Sequence, residues 1–266
     1  LILAVLIPVY NEERLIEQAV ARLDAVPETV GPGGTPVRRR LFIVDDGSTD
    51  LTRDALQRLA TREDVMVLHH GHNQGKGAAI RTALAAALAW RGTGEGESAE
   101  KAELFIIHDA DLEYDPRDHE AMLDPMLDAT IGADAVIGSR FLGLSHRVLY
   151  FWHSLANRFI TTVSNVCTNL NLSDIECCFK AFTRRVAERL RIEEDRFGVE
   201  PEIVAKIAGM RVEDEAGGGG RGRERPLRVY EVAVSYAGRT YAEGKKIGWK
   251  DGFSALWCIV KYNLMR

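Results

Sequence analysis

The sequence predicts an α/β fold, a mostly parallel sheet flanked by helices. Two observations carry this. Short apolar runs ("LILAVLIPVY", "RRLFIVDDGS", "DVMVLHH", "AELFIIHDAD", "ADAVIGSRF") alternate with segments whose apolar residues recur at helical spacing. Strands that are apolar throughout are buried on both faces, as in a parallel sheet covered by crossover helices. Polar clusters also stand at the carboxyl ends of these runs, where open parallel sheets bind ligands.

The elements follow in order. Residues 1–10 read as a buried strand with Pro8 near its end, and Leu15, Ile16, Val20 and Leu23 set a helix over 12–26. A strand over 39–48 turns into a helix over 50–60, and a third strand covers 64–70. Glycines open an Ala-rich helix over 75–91; a fourth strand spans 102–111, a helix interrupted by Pro125 spans 119–130, and a fifth strand spans 133–141. Beyond residue 145 the character changes, with helical patterns over 148–170, 186–192 and 199–210, a late strand over 226–236 and a terminal helix. The inserts "GPGGTP", "GTGEGESAE" and "EAGGGGRGRER" read as surface loops.

With 266 residues, 46% hydrophobic and 27% charged, the chain suits one large α/β domain or two small ones. A net charge of −5 gives no general reason to expect a nucleic-acid partner. Cys167, Cys177, Cys178 and Cys258 form no C-x-x-C pair and are expected to be buried reduced thiols of a cytosolic protein. The longest apolar runs are too short to span a membrane. No signal peptide is legible, and the first residue is a leucine, which leaves room for residues upstream.

Three polar clusters fall at strand ends: Pro8 to Glu13, Asp45 to Ser48, and Asp109 to Asp111. Asp109 and Asp111 are two apart, so on an extended backbone both project to one side, and Glu113 continues the period. Hard carboxylate oxygens suit Mg²⁺ or Mn²⁺ shared with phosphate oxygens. The plainer alternative has Asp109 capping a turn with Asp111 and Asp115 solvated; convergence with two other acidic turns favours the metal. Asp45 lies where it would reach a base or ribose, whereas Ser48 or Asp50 suits a helix N-cap. At "HNQGKGAAI", exposed amides beside Lys76 would meet an anion, or the glycines merely permit a tight turn.

Taken in order, "IPVYNEE", "IVDDGSTD", "HNQGKGAAI", "HDADLEYDP", "IGSRF" and "SDIECCFKAF" resemble the family 2 glycosyltransferases of GT-A (Rossmann-like) fold, nearest the branch of dolichyl- and polyprenyl-phosphate sugar transferases. The likeness runs from residue 3 to about 258, outside the three inserts. It implies transfer from a nucleotide-diphosphate sugar, of UDP-glucose or GDP-mannose type, to a polyprenyl phosphate, with Mg²⁺ or Mn²⁺. It also implies roles for particular residues. Pro8, Tyr10, Glu12, Asp45, Asp46, Lys76, Asp109 and Ala110 would bind the nucleotide, and Asp109, Asp111 and Glu113 the metal. Arg140 and Asp174 would serve catalysis, and Arg147, Lys180, Arg239, Lys245 and Lys246 the acceptor phosphate. Residues 1–246 would form the catalytic domain, with a nucleotide-sugar half over 1–140 and an acceptor half over 141–246.

Two departures weaken the match to mannose synthases. Glu113-Tyr114-Asp115-Pro116 replaces Gln-His-Pro-Pro, and Glu176-Cys177-Cys178-Phe179-Lys180 replaces Thr-Ser-Gly-Phe-Arg. A saccharide hydroxyl acceptor, with Asp174 or Glu176 as base, is the alternative. A sugar nucleotidyltransferase is weaker, because "PVYNEE" stands where that class has a Gly-rich arginine loop. In the segment 247–266, Phe253, Leu256, Trp257, Val260 and Leu264 repeat at helical spacing. That pattern suits either a helix docked on the domain or an interfacial amphipathic helix. With the resemblance, it leads to an expected site on the cytoplasmic face of a membrane, as a peripheral protein.

Overall fold

A computed structural model describes residues 1–92, 99–143, 151–213, 224–238 and 249–265. Strands β1 (Ile2–Val9), β3 (Pro36–Asp45), β4 (Val65–His69), β5 (Leu104–Ile107) and β6 (Ala135–Ser139) are the five expected parallel strands, and β10 (Val229–Ala233) is the late one. Helices α1 (Ile16–Asp24), α2 (Thr52–Leu59), α3 (Lys76–Ala89), α4 (His119–Leu127), α5 (Phe151–Thr168), α7 (Val199–Gly209) and α8 (Trp249–Leu264) match the helical patterns. The short pattern over 186–192 is one turn, α6 (Arg184–Ala187).

Strand β1 lies between β3 and β5 and is parallel to both. The first two crossovers step outward through β3 to β4, and the next strand, β5, lies on the other side of β1. The order therefore reverses at β1 and β5, and a crevice opens beyond their carboxyl ends. Pro8 is tolerated because of this arrangement. The Leu6 carbonyl accepts from the His108 N–H at 3.0 Å on the β5 side, and two residues later Pro8 faces the same side, where β5 has ended.

The residues of β1, β5 and β6 and the second half of β3 are almost all buried, and Ala79, Ala83 and Ala87 of α3 are fully buried in the same core. Alanine on that face lets α3 approach the sheet closely. Pro125 sits inside the last turn of α4, where it removes one helical N–H.

Strand β7 (Lys180–Thr183) was not anticipated. It runs antiparallel between β5 and β6, pairing Phe105 with Phe182 and Val136 with Ala181. Four residues are too few for a periodicity signal, and the partners supply the pairing. Three further short strands, β2 (Thr29–Val30), β8 (Arg211–Glu213) and β9 (Glu224–Pro226), lie in or beside the Gly-rich inserts. All four cysteines are free thiols, three of them buried.

Helix α3 starts against the loop that precedes α7. The Ala78 N–H donates to the Asp195 carbonyl at 3.0 Å, and a Cβ on Gly77 would lie 2.0 Å from the Glu194 carbonyl oxygen. Gly77→Ala is therefore expected to lower unfolding stability by about 2 kcal/mol, since the obstacle is backbone. Urea denaturation of the two proteins measures it.

Candidate active site

The turn after β1 is fastened to the turn after β3. The Asn11 N–H donates to Ser48 Oγ at 3.0 Å, Asn11 Oδ1 accepts from the Thr49 N–H at 2.8 Å, and the Glu12 N–H donates to Thr52 Oγ1 at 2.9 Å. Asn11 has a left-handed φ of 52°, one of three such non-glycine residues among those described. The segment from Pro8 to Glu12 is thus held beside the turn that begins at Asp45. Asp45 accepts from the Ser48 N–H at 2.9 Å and lies 3.0 Å from His69 Nδ1. Burial opposes its charge, but the Ser48 and His69 hydrogen bonds outweigh it and hold the carboxyl below its ordinary range.

Asp46 turns the other way. It is buried and accepts from the Gln74 N–H at 2.9 Å and the Gly75 N–H at 2.7 Å, with His70 Nδ1 2.7 Å away. Its oxygens are absorbed in joining β3 to α3, which leaves nothing for a nucleotide. The amides at the start of α3 are not an open anion nest either, because Asp46 and the Asp195 carbonyl receive three of them. The glycines there serve the tight approach: Gly75 has φ 113°, and a Cβ on it would meet the Asp195 carbonyl oxygen at 2.3 Å.

The acidic ladder is a turn rather than an extended strand. β5 ends at Ile107, and Leu112 takes a left-handed φ of 61°. Asp111 Oδ1 accepts from the Glu113 N–H at 3.1 Å, closing the turn. Backbone strain at a non-glycine residue is characteristic of functional turns. Asp115 leaves the ladder to cap the following 3₁₀ turn, accepting from the Arg117 N–H at 3.0 Å. Asp109 Oδ2 accepts from Lys76 Nζ at 2.8 Å. Burial alone would raise the Asp109 pKa; the Lys76 ammonium outweighs it and lowers it. Ala110, between the two aspartates, is buried.

Glu113 Oε2 accepts from the Tyr236 hydroxyl at 2.7 Å, and the Glu113 carbonyl accepts from the Ala237 N–H at 2.8 Å. This ties the turn to the segment after β10. The Arg140 guanidinium lies over the Tyr236 ring, 5.1 Å from its centroid. Arg140 donates to Asp174 in a fork, Nε to Oδ2 at 2.6 Å and Nη2 to Oδ1 at 2.8 Å. Asp174 also accepts from Asn157 Nδ2 at 3.3 Å and from the Glu176 N–H at 3.2 Å, and it is fully buried. Burial opposes its charge, yet Arg140 keeps its pKa below the ordinary value. So saturated a carboxylate holds the guanidinium in place and is a poor proton acceptor.

Lys180 is fully buried and donates to the Ile175 and Cys177 carbonyls and to Glu200 Oε2. That corrects its expected place among the acceptor cations: all three donors are satisfied internally. Arg147, Arg239, Lys245 and Lys246 lie outside the described residues.

Several contributors were not singled out in the sequence. Glu231 of β10 accepts from the Ser173 and Asp174 N–H groups at 2.7 and 3.1 Å, which fixes the loop bearing Asp174. Glu200 and Tyr236 bind Lys76 and Glu113. The one available signal was an acid inside the apolar pattern "VEPEIVAKIAGM".

The model of "Glycosyl transferase family 2" matches residues 4–191. The chain belongs to glycosyl transferase family 2. Its structure resembles glucosyl-3-phosphoglycerate synthase of Mycobacterium tuberculosis solved with Mg²⁺ and UDP, with a TM-score of 0.62, 18% identity, and coverage of 98% of this chain and 79% of that one. The shared architecture is the GT-A-like fold, so the expected fold class holds. Among curated relatives, glycosyltransferase AglD of Haloferax volcanii is 26% identical over 79% of this chain and 31% of its own length. Undecaprenyl-phosphate 4-deoxy-4-formamido-L-arabinose transferase of Pseudomonas paraeruginosa is 24% identical over 92% of this chain and 60% of its own. Dolichol-phosphate mannosyltransferase of Pyrococcus furiosus is 24% identical over 76% and 52%. The chain thus spans from about a third to three fifths of these three relatives. Membership identifies the chain as a glycosyltransferase, similar to relatives whose names give polyprenyl phosphates as their acceptors.

One side chain of this glycosyltransferase stands apart electrostatically. Glu176 is half-buried, its Oε1 is enclosed with no hydrogen-bond partner among the described residues, and its pKa is pushed up to about 7 by burial, reinforced by Glu200. Between the ordinary 4.5 and about 7 the native carboxyl keeps a proton that the unfolded one has lost, so native stability falls as pH rises through that window. Glu176→Gln is expected to remove that slope. Its unfolding free energy, measured by urea denaturation, should gain on the wild type more at pH 8 than at pH 5, by up to about 3 kcal/mol.

Proposed function

We propose that this glycosyltransferase moves a sugar, with inversion, from a nucleotide-diphosphate sugar to a polyprenyl phosphate at the surface of a membrane. The observation that carries the proposal is the pairing of two features across one crevice: the Asp109–Asp111 turn with its Lys76 ammonium, and the Arg140 guanidinium locked by Asp174.

Among the described residues no three acidic, histidine or cysteine side chains form a ready metal cage. A pair of carboxylates on a closed turn is nevertheless what Mg²⁺ or Mn²⁺ takes from protein when phosphate oxygens complete its shell. The donor set fits, and Asp109 and Asp111 would hold the ion. Glu113 would act indirectly, since its carboxylate engages Tyr236. Bound there, a divalent cation neutralises charge on the departing diphosphate. Lys76 adds a positive charge beside the same oxygens. Tyr10, Glu12 and Asp45 line the base and ribose end. Arg140, its direction fixed by Asp174 and its face by Tyr236, would meet the transferred sugar phosphate or the incoming acceptor phosphate. A phosphate monoester is already ionised near neutrality, with a second pKa of about 6, so the attacking oxygen needs no base. The proposed nucleotide and acceptor halves follow this division of labour.

The acceptor and the membrane are supported by further observations. Two of the relatives are named as transferases of undecaprenyl phosphate and dolichol phosphate. No helix among the described residues is long and apolar enough to cross a membrane. Helix α8 buries Ala255, Cys258, Ile259 and Tyr262 and exposes Phe253, Trp257, Val260 and Leu264. The apolar repeat read from the sequence is thus largely its outward face. Helix α5, which packs beside α8, exposes Phe151, Trp152, Leu155 and Phe159. Aromatic and aliphatic groups exposed in this density suit an interfacial surface. It would lie on the cytoplasmic side, where nucleotide sugars are found.

Incubation with radiolabelled UDP-glucose or GDP-mannose, Mn²⁺ and polyprenyl phosphate should give a solvent-extractable labelled lipid, reduced at least 100-fold in Asp111→Ala. Donor turnover without labelled lipid would defeat the proposal. The second reading is transfer to a saccharide hydroxyl, favoured by the Glu176 pKa of about 7, a value suited to a general base. Glu176→Gln distinguishes the two, because it should abolish transfer to a hydroxyl and spare transfer to a phosphate. Trp152→Glu with Trp257→Glu is expected to cut co-sedimentation with anionic liposomes severalfold without altering the melting temperature.

A further inference from the structure

Four charged side chains of alternating sign run from the interior to the crevice. Lys180 of β7, fully buried, donates to Glu200 Oε2. Glu200, in the first turn of α7 and 3% exposed, places its other oxygen 2.9 Å from Lys76 Nζ. Lys76, the first residue of α3, lies 2.8 Å from Asp109 Oδ2. The ammonium of Lys76 therefore donates a hydrogen bond to Asp109 at the crevice and holds an ion-pair contact with Glu200 behind it. Burial alone would lower its pKa, but Asp109, with Cys178 and Glu200, raises it well above the ordinary value, so Lys76 remains charged.

We propose that Glu200 is a positioning residue that sets the divalent-cation affinity of the Asp109–Asp111 turn by acting on Lys76. The inference rests on the metal assignment made under the proposed function. An ammonium on Asp109 Oδ2 competes with a cation for that oxygen. With Glu200 present, Lys76 can yield Asp109 by settling on Glu200, and at no stage is it buried without a counter-ion. With Glu200 neutral, Asp109 is the remaining carboxylate partner, and releasing it leaves an uncompensated charge in a low-dielectric site. Glu200 keeps its own balance through Lys180, which explains why a fully buried lysine stands behind a crevice it does not enter.

Mn²⁺ binding, followed by loss of the free-ion EPR signal and measured with and without UDP, tests this independently of turnover. Glu200→Gln is expected to raise the Mn²⁺ Kd about tenfold, and Lys76→Met to lower it, because Asp109 then has no competing ammonium. The decisive comparison is the double variant, whose Kd should equal that of Lys76→Met alone. An unchanged Kd in Glu200→Gln, or an equal weakening in the Lys76→Met background, overturns the inference and leaves the metal assignment standing. Absence of Mn²⁺ binding by the wild type overturns both. If thermal melts show that Glu200→Gln does not fold, Glu200→Asp, too short to reach both lysines, takes its place with the same expected direction.

Discussion

Strand β1 is hydrogen-bonded on both sides, to β3 and to β5, and its apolar residues are buried on both faces. Such a strand has no polar surface along its length, so polar chemistry can begin only where it stops. Because the chain order reverses at β1, the ends of β1, β3 and β5 open into one place. The Asn11–Ser48 and Glu12–Thr52 hydrogen bonds then fasten the first two ends together, and the Asp109 turn stands on the third. The site is a consequence of that pairing.

The second half of the crevice is built differently. Antiparallel β7 closes the sheet between β5 and β6 and carries Lys180 into the interior, while the segment before it brings Asp174 to Arg140. Charge is buried here in forks and chains in which each group has its counter-ion: Arg140 with Asp174, and Lys180 with Glu200 and on to Lys76 and Asp109. Removing one member strands the next, which is why these contacts specify geometry more than they stabilise the fold. Glu176 is the exception, an acid left in the same region with an enclosed oxygen and a pKa near neutrality.

Much of this was legible beforehand, for identifiable reasons. Residues proposed to act from a strand end (Asp45, Asp109, Asp111) are marked by an apolar run followed by an acid. Residues whose role depends on a distant partner are not so marked. Asp46 looks like Asp45 in the chain, yet it points toward His70 and the start of α3. Lys180 looks like an acceptor cation, yet Glu200, twenty residues away in sequence, takes it inward. The apolar repeat of α8 gave the helix but left open which face is covered, because a helix apolar on several sides has no period that says so.

Local pattern alone determined the α/β class, the alternation of strands and helices, and the family to which the motifs belong. Buried parallel strands need continuous apolar runs, and strand ends need turn residues. The tertiary structure alone decided where β7 inserts, which of two adjacent aspartates faces the crevice, and which lysines remain available to a ligand. Those outcomes depend on pairings between residues 20 to 124 positions apart, such as Lys180 with Glu200 and Lys76 with Glu200, and no local period encodes them.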